Sequence, residues 1–304
     1  MNCIFIYNPV SGKGKVRKRI KFIVDKLREK YEIVDVYETR ANGDMENAAR
    51  EAAAKYDAII FSGGDGSFNE VLQGVATAER MPELGYIPAG TVNDIAHSLG
   101  IPRKSIRKAV KVILNGENAM LDCVKINERY AMYVVAAGAF TSATYTTPQS
   151  QKKMIGRLAY GIEGLKKNMK FDVFSIEVDN GTETVQTECV FFLLMNGRYV
   201  AGLPINKKGS FADGKAEIAV IKQSKNPDFF KRVRAYIALI RLFLYGARIK
   251  EKKIVRIEGS HFRISVPDNV IWNFDGEKGV SGPVEMQVLS KKINMIVPKG
   301  IKNV

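Results

Sequence analysis

The chain has 304 residues, 46% of them hydrophobic, enough to bury a sizeable core and to form two domains. Its net charge of +15 is uneven: residues 1–122 hold 18 Lys/Arg against 16 Asp/Glu, and the remainder holds 29 against 16. The second part therefore carries nearly all the positive field, which suits an anionic surface. Cys3, Cys123 and Cys189 lack the spacing of a zinc site or a disulfide framework and fit a reducing cytoplasm.

The first ~120 residues alternate strand and helix signals. Ile4–Tyr7 reads as a strand, because its apolar run is too short and lacks the basic flank of a secretory leader. Apolar residues from Val16 to Tyr31 recur at helical spacing, Ile33–Tyr37 is a second strand, and an Ala-rich helix covers Asp44 to Tyr56. Asp57–Ser62 and Leu84–Pro88 follow as strands, with helices over Ser67–Ala78, Asn93–Leu99 and Ser105–Leu114. Repeated strand–helix units predict a mostly parallel sheet covered on both faces.

After Asp122 strands follow strands: Cys123–Ile126, Tyr130–Ala136, Phe174–Val178 and Thr184–Met195, the last two joined at Asp179-Asn180-Gly181. Further strands are expected at Glu217–Ile221, Ile254–Ile257, Phe262–Val266, Val270–Phe274, Val284–Val288 and Ile293–Val297, with one helix over Pro227–Tyr245. The fold class is thus α/β plus all-β. An α/β domain over 1–122 precedes an antiparallel β-sandwich over 123–289, and residues 290–304 return to the first. Gln149–Lys153 is the most polar stretch and is expected to be mobile.

Five stretches carry chemistry. Gly63-Gly-Asp-Gly-Ser-Phe-Asn-Glu70 follows a buried strand. Its glycines let amide N–H groups approach an oxyanion, and the Ser67/Glu70 spacing of a capping box places a helix start beside the turn. Pro88-Ala-Gly-Thr-Val-Asn-Asp94 repeats the logic after the next strand, with Thr91 and Asp94 also at capping-box spacing. Asn8-Pro-Val-Ser-Gly-Lys-Gly-Lys15 is not a Walker A loop but offers glycines, lysines and Ser11 to a nucleotide. Phe211-Ala-Asp-Gly-Lys215 and Asn273-Phe-Asp-Gly-Glu277 each set Asp-Gly, a common turn dipeptide, beside a strand end.

In this order, and with Asp122, Lys125 and Asn127, these stretches resemble the soluble bacterial-type diacylglycerol kinase family. These are lipid kinases related to sphingosine and ceramide kinases and, more distantly, to NAD kinase and phosphofructokinase. The resemblance implies ATP and Mg²⁺ as cofactors. ATP contacts would come from Asn8, Thr39, Gly63, Gly64, Asp65, Gly66, Ser67, Asn69 and Thr91. It further implies an acidic network of Asp65, Asp94 and Asp122 that organises magnesium, and a second, structural magnesium on the Asp213 carboxylate and the backbone oxygens of Ser210 and Lys215. The general base would be Asp275, with Glu277 beside it. Ser67 stands where the family usually has Thr, and the Lys-rich Ile205–Phe211 departs from the family's Pro/Ala-rich approach to the metal Asp.

The activity so implied is transfer of the γ-phosphoryl group of ATP to a lipid hydroxyl, diacylglycerol first, giving phosphatidic acid. Ceramide, a sphingoid base or monoacylglycerol are alternative lipid acceptors, and an NAD-kinase-like enzyme with a soluble acceptor is the competing reading. A nucleic-acid-binding module ranks last, since no recognised motif supports it. The expected location is cytoplasmic and peripheral to a membrane rich in anionic lipid, without nucleic acid as a partner; exposed strands of the second domain suit a homodimer. The helix over 227–245 mixes aromatics with Lys and Arg. Arg241 and its length rule out a membrane span, leaving a helix packed on the sandwich or one lying at a lipid interface.

Overall fold

The computed structural model describes residues 1–41, 43–139 and 172–301; Gln149–Lys153 lies outside them. The chain divides into two compact units, one of Met1–Cys123, Phe211–Asp213 and Ser290–Val304, the other of Val124–Ser210 and Gly214–Leu289. Asp213, read from sequence as part of the second domain, therefore groups with the first.

In the first unit, strands β1 (Asn2–Tyr7), β2 (Ile33–Glu38), β3 (Ala58–Gly63) and β4 (Glu83–Pro88) pair in parallel in the order β2-β1-β3-β4. Every residue of β3 is buried, as a central parallel strand covered on both faces requires, whereas β2 at the edge has only exposed and half-buried positions. Helices α1 (Ile20–Leu27), α2 (Asp44–Ala53), α3 (Asp65–Val75), α4 (Asp94–Ser98) and α5 (Ile106–Asn115) connect and cover the strands. Phe5, Ile23, Leu27, Ile60, Val110 and Ile113 belong to one core cluster of this unit. The helical spacing from Val16 to Tyr31 is realised only in part. Two short 3₁₀ turns, Ser11–Gly14 and Arg17–Arg19, precede α1, and the basic run 17–19 makes no side-chain cap.

The second unit is built on antiparallel pairs, confirming the α/β plus all-β class. Its strands begin within β5 (Glu117–Ile126) and continue with β6 (Arg129–Ala131), β7 (Val134–Gly138), β8 (Phe174–Asp179), β9 (Thr184–Met195) and β10 (Ala216–Lys222). Helix α6 (Phe229–Tyr245) follows, then β11 (Ile254–Gly259), β12 (His261–Ser265), β13 (Ile271–Phe274), β14 (Glu277–Ser281) and β15 (Val284–Val297). Strands run β14-β13-β7-β9-β8-β12-β15, and β10 pairs both β9 and β11. Trp272 is fully buried at the centre, edge-on to Phe192, and its indole N–H donates to the Gly282 carbonyl at 2.8 Å.

Two expectations change here. Val284–Val288 and Ile293–Val297 are one strand, whose polar middle contains Lys291 with φ of 52°. The segment Glu277–Ser281 forms a strand although it lacks alternating apolar residues.

Candidate active site

Open parallel sheets bind ligands beyond the C-terminal strand ends where the strand order reverses. From β1 the chain moves to β2 on one side, and from β3 to β4 on the other, so the reversal lies between β1 and β3. The loops leaving these strands are 8–15 and 64–67, and β4 adds 89–93 beside them.

The three loops are packed against one another at positions that admit no side chain. A Cβ on Gly90 would lie 2.5 Å from Gly64 Cα, and one on Gly12 would lie 2.8 Å from the Ala89 carbonyl oxygen. The Gly63 carbonyl accepts from the N–H groups of Ala89 (2.7 Å) and Gly90 (3.2 Å) and from the Tyr86 hydroxyl (3.2 Å). Asn93, in a left-handed conformation, closes the arrangement by donating from Nδ2 to the Gly90 carbonyl at 2.9 Å. Burial pushes the Tyr86 phenol well above its usual range, which keeps it a neutral donor.

Helix α3 begins at Asp65, with Gly64 as its N-cap and no side-chain cap, so the Ser67/Glu70 capping box does not form. The first intrahelical bond runs from Phe68 N–H to the Gly64 carbonyl at 3.0 Å. The N–H groups of Asp65, Gly66 and Ser67 therefore precede the helical ladder, at the positive end of an 11-residue helix. A Cβ on Gly63 would meet the Ser67 side chain at 2.2 Å, so this glycine makes room for Ser67. The Thr91/Asp94 box is also unused: α4 is capped by Asn93 without a side-chain bond.

The remaining candidates fall as follows. Asn8 Oδ1 accepts from the Val10 N–H at 3.1 Å and shapes its own loop. Thr39 is buried at the end of β2, its hydroxyl 3.4 Å from the Tyr7 carbonyl. Asn69 is buried on α3, with Oδ1 accepting from Gln73 at 3.2 Å, while Thr91 is exposed on the β4 loop. Asp65 Oδ1 accepts from the Ile95 N–H at 3.3 Å, which ties the start of α3 to the start of α4, where Asp94 is buried.

Asp122 is placed differently. It is fully buried in β5, and its Oδ1 accepts from the Lys291 N–H at 2.7 Å, holding the left-handed kink of β15. Among the described residues no group of three or more Asp, Glu, His or Cys side chains is arranged to hold a metal ion. The carboxylates of Asp65 and Asp94 stand at the starts of α3 and α4, and that of Asp122 within β5. Ser210, Asp213 and Lys215 lie in the bend before β10; Asp213 is exposed and Lys215 pairs with Glu258 at 3.2 Å.

In the second unit, Asp275 and Gly276 are the two-residue loop of the β13–β14 hairpin, flanked by the pair Phe274–Glu277. Both have positive φ, 51° and 96°, the pattern of the mirror-image turns that match strand twist. The buried Asp275 carboxylate accepts three backbone N–H groups: Met132 at 2.6 Å on Oδ2, and Tyr133 and Val134 at 3.0 Å on Oδ1. Glu277 is exposed at the start of β14. Sequence reasoning missed Tyr86, Asn93, Lys291 and the 132–134 amides. Tyr86 and Asn93 could have been suspected from their place beside a Gly turn; backbone donors leave no residue-type signal.

A switch-point crevice lined by glycine turns and a helix start is a site suited to a phosphate-bearing ligand. Residues 2–126 match the diacylglycerol kinase catalytic domain, and residues 133–297 match the YegS C-terminal NAD kinase beta sandwich-like domain. The chain belongs to the diacylglycerol kinase family. It is 31% identical over 296 residues to the diacylglycerol kinase of Bacillus subtilis (strain 168), covering 97% of this chain and 95% of the relative. It is 30% identical over 300 residues to that of Staphylococcus haemolyticus, covering 98% and 88%. The crystal structure of a diacylglycerol kinase from Bacillus anthracis has the same fold, with a TM-score of 0.77 at 22% identity over 99% of this chain and 98% of that one.

Proposed function

We propose that this kinase transfers the γ-phosphoryl group of ATP to the hydroxyl of a lipid, diacylglycerol, releasing ADP and phosphatidic acid. The observation that carries the ATP half is the convergence of the three glycine turns at the switch point. The acceptor rests on the relatives named diacylglycerol kinase that span nearly the whole chain.

Phosphoryl transfer passes through a loose transition state, so positioning and charge stabilisation matter more than covalent chemistry. The N–H groups at the start of α3 and the loops 8–15 and 89–93 would hold the phosphates, with Asn8, Thr91 and Ser67 at their rim. Thr39, Gly63 and Asn69 support this frame from buried positions. The oxygen donors of Asp65 and Asp94 suit Mg²⁺, and the Asp213 bend with the Ser210 and Lys215 carbonyls suits a second such ion. Magnesium supplies neutralisation of phosphate charge when bound.

Asp275 would accept the hydroxyl proton of the lipid, with Glu277 alongside. A carboxylate is a weak base, but in a loose transition state the hydroxyl gives up its proton late. The three N–H donors to Asp275 hold the carboxylate in one orientation.

The sandwich family's description as NAD kinase-like favours one competing reading, a soluble acceptor. Incubation with labelled ATP, a total lipid extract and, separately, NAD decides between them. A labelled phosphatidic acid is expected; labelled NADP with no lipid product would overturn the lipid reading. We further propose that the lipid acceptor is reached by peripheral association at the cytoplasmic face; no helix among the described residues is long and apolar enough to cross a membrane.

A further inference from the structure

Helix α6 buries Ala235, Ala238, Leu239 and Leu242, whose i, i+3, i+4, i+7 spacing lines the single face turned to the sandwich. On the opposite face, Phe230, Ile237 and Leu244 are 75%, 44% and 66% exposed. Their spacing of seven residues, two helical turns, sets them in a single apolar ridge along the helix. A globular helix turned outward would place polar residues there. Phe229 and Tyr245 extend the exposed apolar surface at the two ends.

Arg234 and Arg241, also seven apart, run beside this ridge. They line a cleft of about 620 Å³ whose other walls are Lys222 at the end of β10 and Lys252 and Lys253 ahead of β11. Glu251 reaches Arg241 at 2.7 Å, yet Lys222, Arg234, Lys252 and Lys253 make no ion pair among the described residues. Burial, reinforced by Lys222, Arg234 and Lys231, pulls the half-buried Lys253 ammonium below the usual lysine range. Glu251 and Asp228, the latter paired with Lys231 at 3.4 Å, are the carboxylates acting on these five cations, so positive charge stays in excess, and the apolar ridge beside them lacks a cover.

We infer that α6 is a membrane-docking helix, whose Phe230–Ile237–Leu244 ridge enters the acyl boundary while the adjoining cationic cleft takes the phosphate headgroups of anionic phospholipid. Charge complementarity selects this occupant: a second copy of the chain would bring another cationic cleft to the same surface, and neutral lipid would leave the cations unmatched. The inference deepens the lipid-acceptor reading, but docking is measured without ATP or acceptor, so the two can fail separately.

The experiment is sedimentation of the full chain with vesicles of phosphatidylcholine alone or mixed with phosphatidylglycerol. Binding is expected only to the mixed vesicles and should weaken with salt. Arg234→Gln with Lys252→Gln should weaken it about 25-fold, at about fivefold per lost cation. Phe230→Ser with Leu244→Ser should weaken it at least about 30-fold while leaving the salt dependence in place. All four positions are exposed, so melting curves should match the parent chain. Phe230→Trp adds a reporter whose emission should shift to the blue on mixed vesicles, whereas buried Trp272 stays constant. Equal binding to both vesicle types, an unshifted Phe230→Trp emission, or loss of self-association instead of vesicle binding in the Ser variants would overturn the proposal. Normal vesicle binding by a chain that phosphorylates only NAD would overturn the lipid-acceptor reading and leave docking standing.

Discussion

The dipeptide Asp-Gly occurs at 65–66, 213–214 and 275–276, and the first and last copies occupy opposite backbone states. Asp65-Gly66 opens α3, where backbone N–H groups precede the helical ladder and face outward from its positive end. Asp275-Gly276 is a left-handed hairpin loop, where the carboxylate gathers three N–H groups from the link between β6 and β7 and the first residue of β7. One turn offers donors to an anion; the other supplies an anion and orients it. Flanking residues decide the difference. Two glycines and a helical apolar pattern surround the first, whereas strands on both sides leave the second no way to propagate a helix. An Asp-Gly motif therefore acquires its chemistry from the elements on either side, and the predictions below probe that contrast.

Replacing Asp275 by Asn should have the largest effect. Turnover should fall by ~10²–10⁴, measured as phosphatidic acid formed at saturating ATP. An amide has one acceptor atom, so at least one of the three N–H groups loses its partner, and urea unfolding should show a loss of about 1–3 kcal/mol. Gly276→Ala separates the two effects. It strains the turn, where φ is 96°, by about 1–2 kcal/mol but keeps the carboxylate, so turnover should stay near normal. Equal loss of turnover in both variants would make hairpin shape, not the carboxylate, the chemical requirement.

Gly90→Ala tests the other turn. Its Cβ would meet Gly64 Cα at 2.5 Å and Asn93 Oδ1 at 2.6 Å, so the β3 and β4 loops must separate. A rise in KM for ATP exceeding the change in kcat is expected, with about 1–3 kcal/mol of lost stability. An unchanged KM would remove the loops from nucleotide binding.

Asp122→Ala should cost about 1–3 kcal/mol by orphaning the Lys291 N–H, and Asp122→Asn much less, because Oδ1 remains. If Asp122→Asn keeps its stability but loses most activity, Asp122 serves the reaction as well as the β15 kink. A last effect, confined to alkaline conditions, concerns pH. Burial, with the nearby Asp35 carboxylate, pushes the Cys3 thiol from 9.0 up to about 12. The folded state then holds a proton that the unfolded state releases, so stability should fall as pH rises from 9 towards 12. Cys3→Ser should flatten that slope in urea titrations.

Much of the fold was legible because its signals are local. β3 and its glycine turn, the strand–helix alternation and the Asp179-Asn180-Gly181 hairpin each announce themselves within ten residues. Three features resisted for physical reasons. The start of α3 was set two residues late because Ser67/Glu70 imitates a capping box, while the actual N-cap, Gly64, has no side chain with which to signal. Lys291 and its polar neighbours seemed to end a strand, but a single left-handed residue clasped by Asp122 lets β15 continue. β14 is carried by pairing with β13 rather than by apolar alternation. At the site, residue types pointed to Asp275, but its donors are main-chain amides some 140 positions away.

The strand β15 has a consequence for synthesis. Its final part, beginning at Ser290, completes the first unit and pairs in parallel with β4 through Met295 and Leu84. A ribosome that has made residues 1–123 has therefore released every helix of that unit but not the strand that covers its β4 edge. The growing chain must wait for the segment that begins at Ser290 with a hydrogen-bonding edge open, a state that invites misassembly or chaperone capture. A fragment of residues 1–123 expressed alone should aggregate, and supplying 290–304 as a fused tail should restore its solubility.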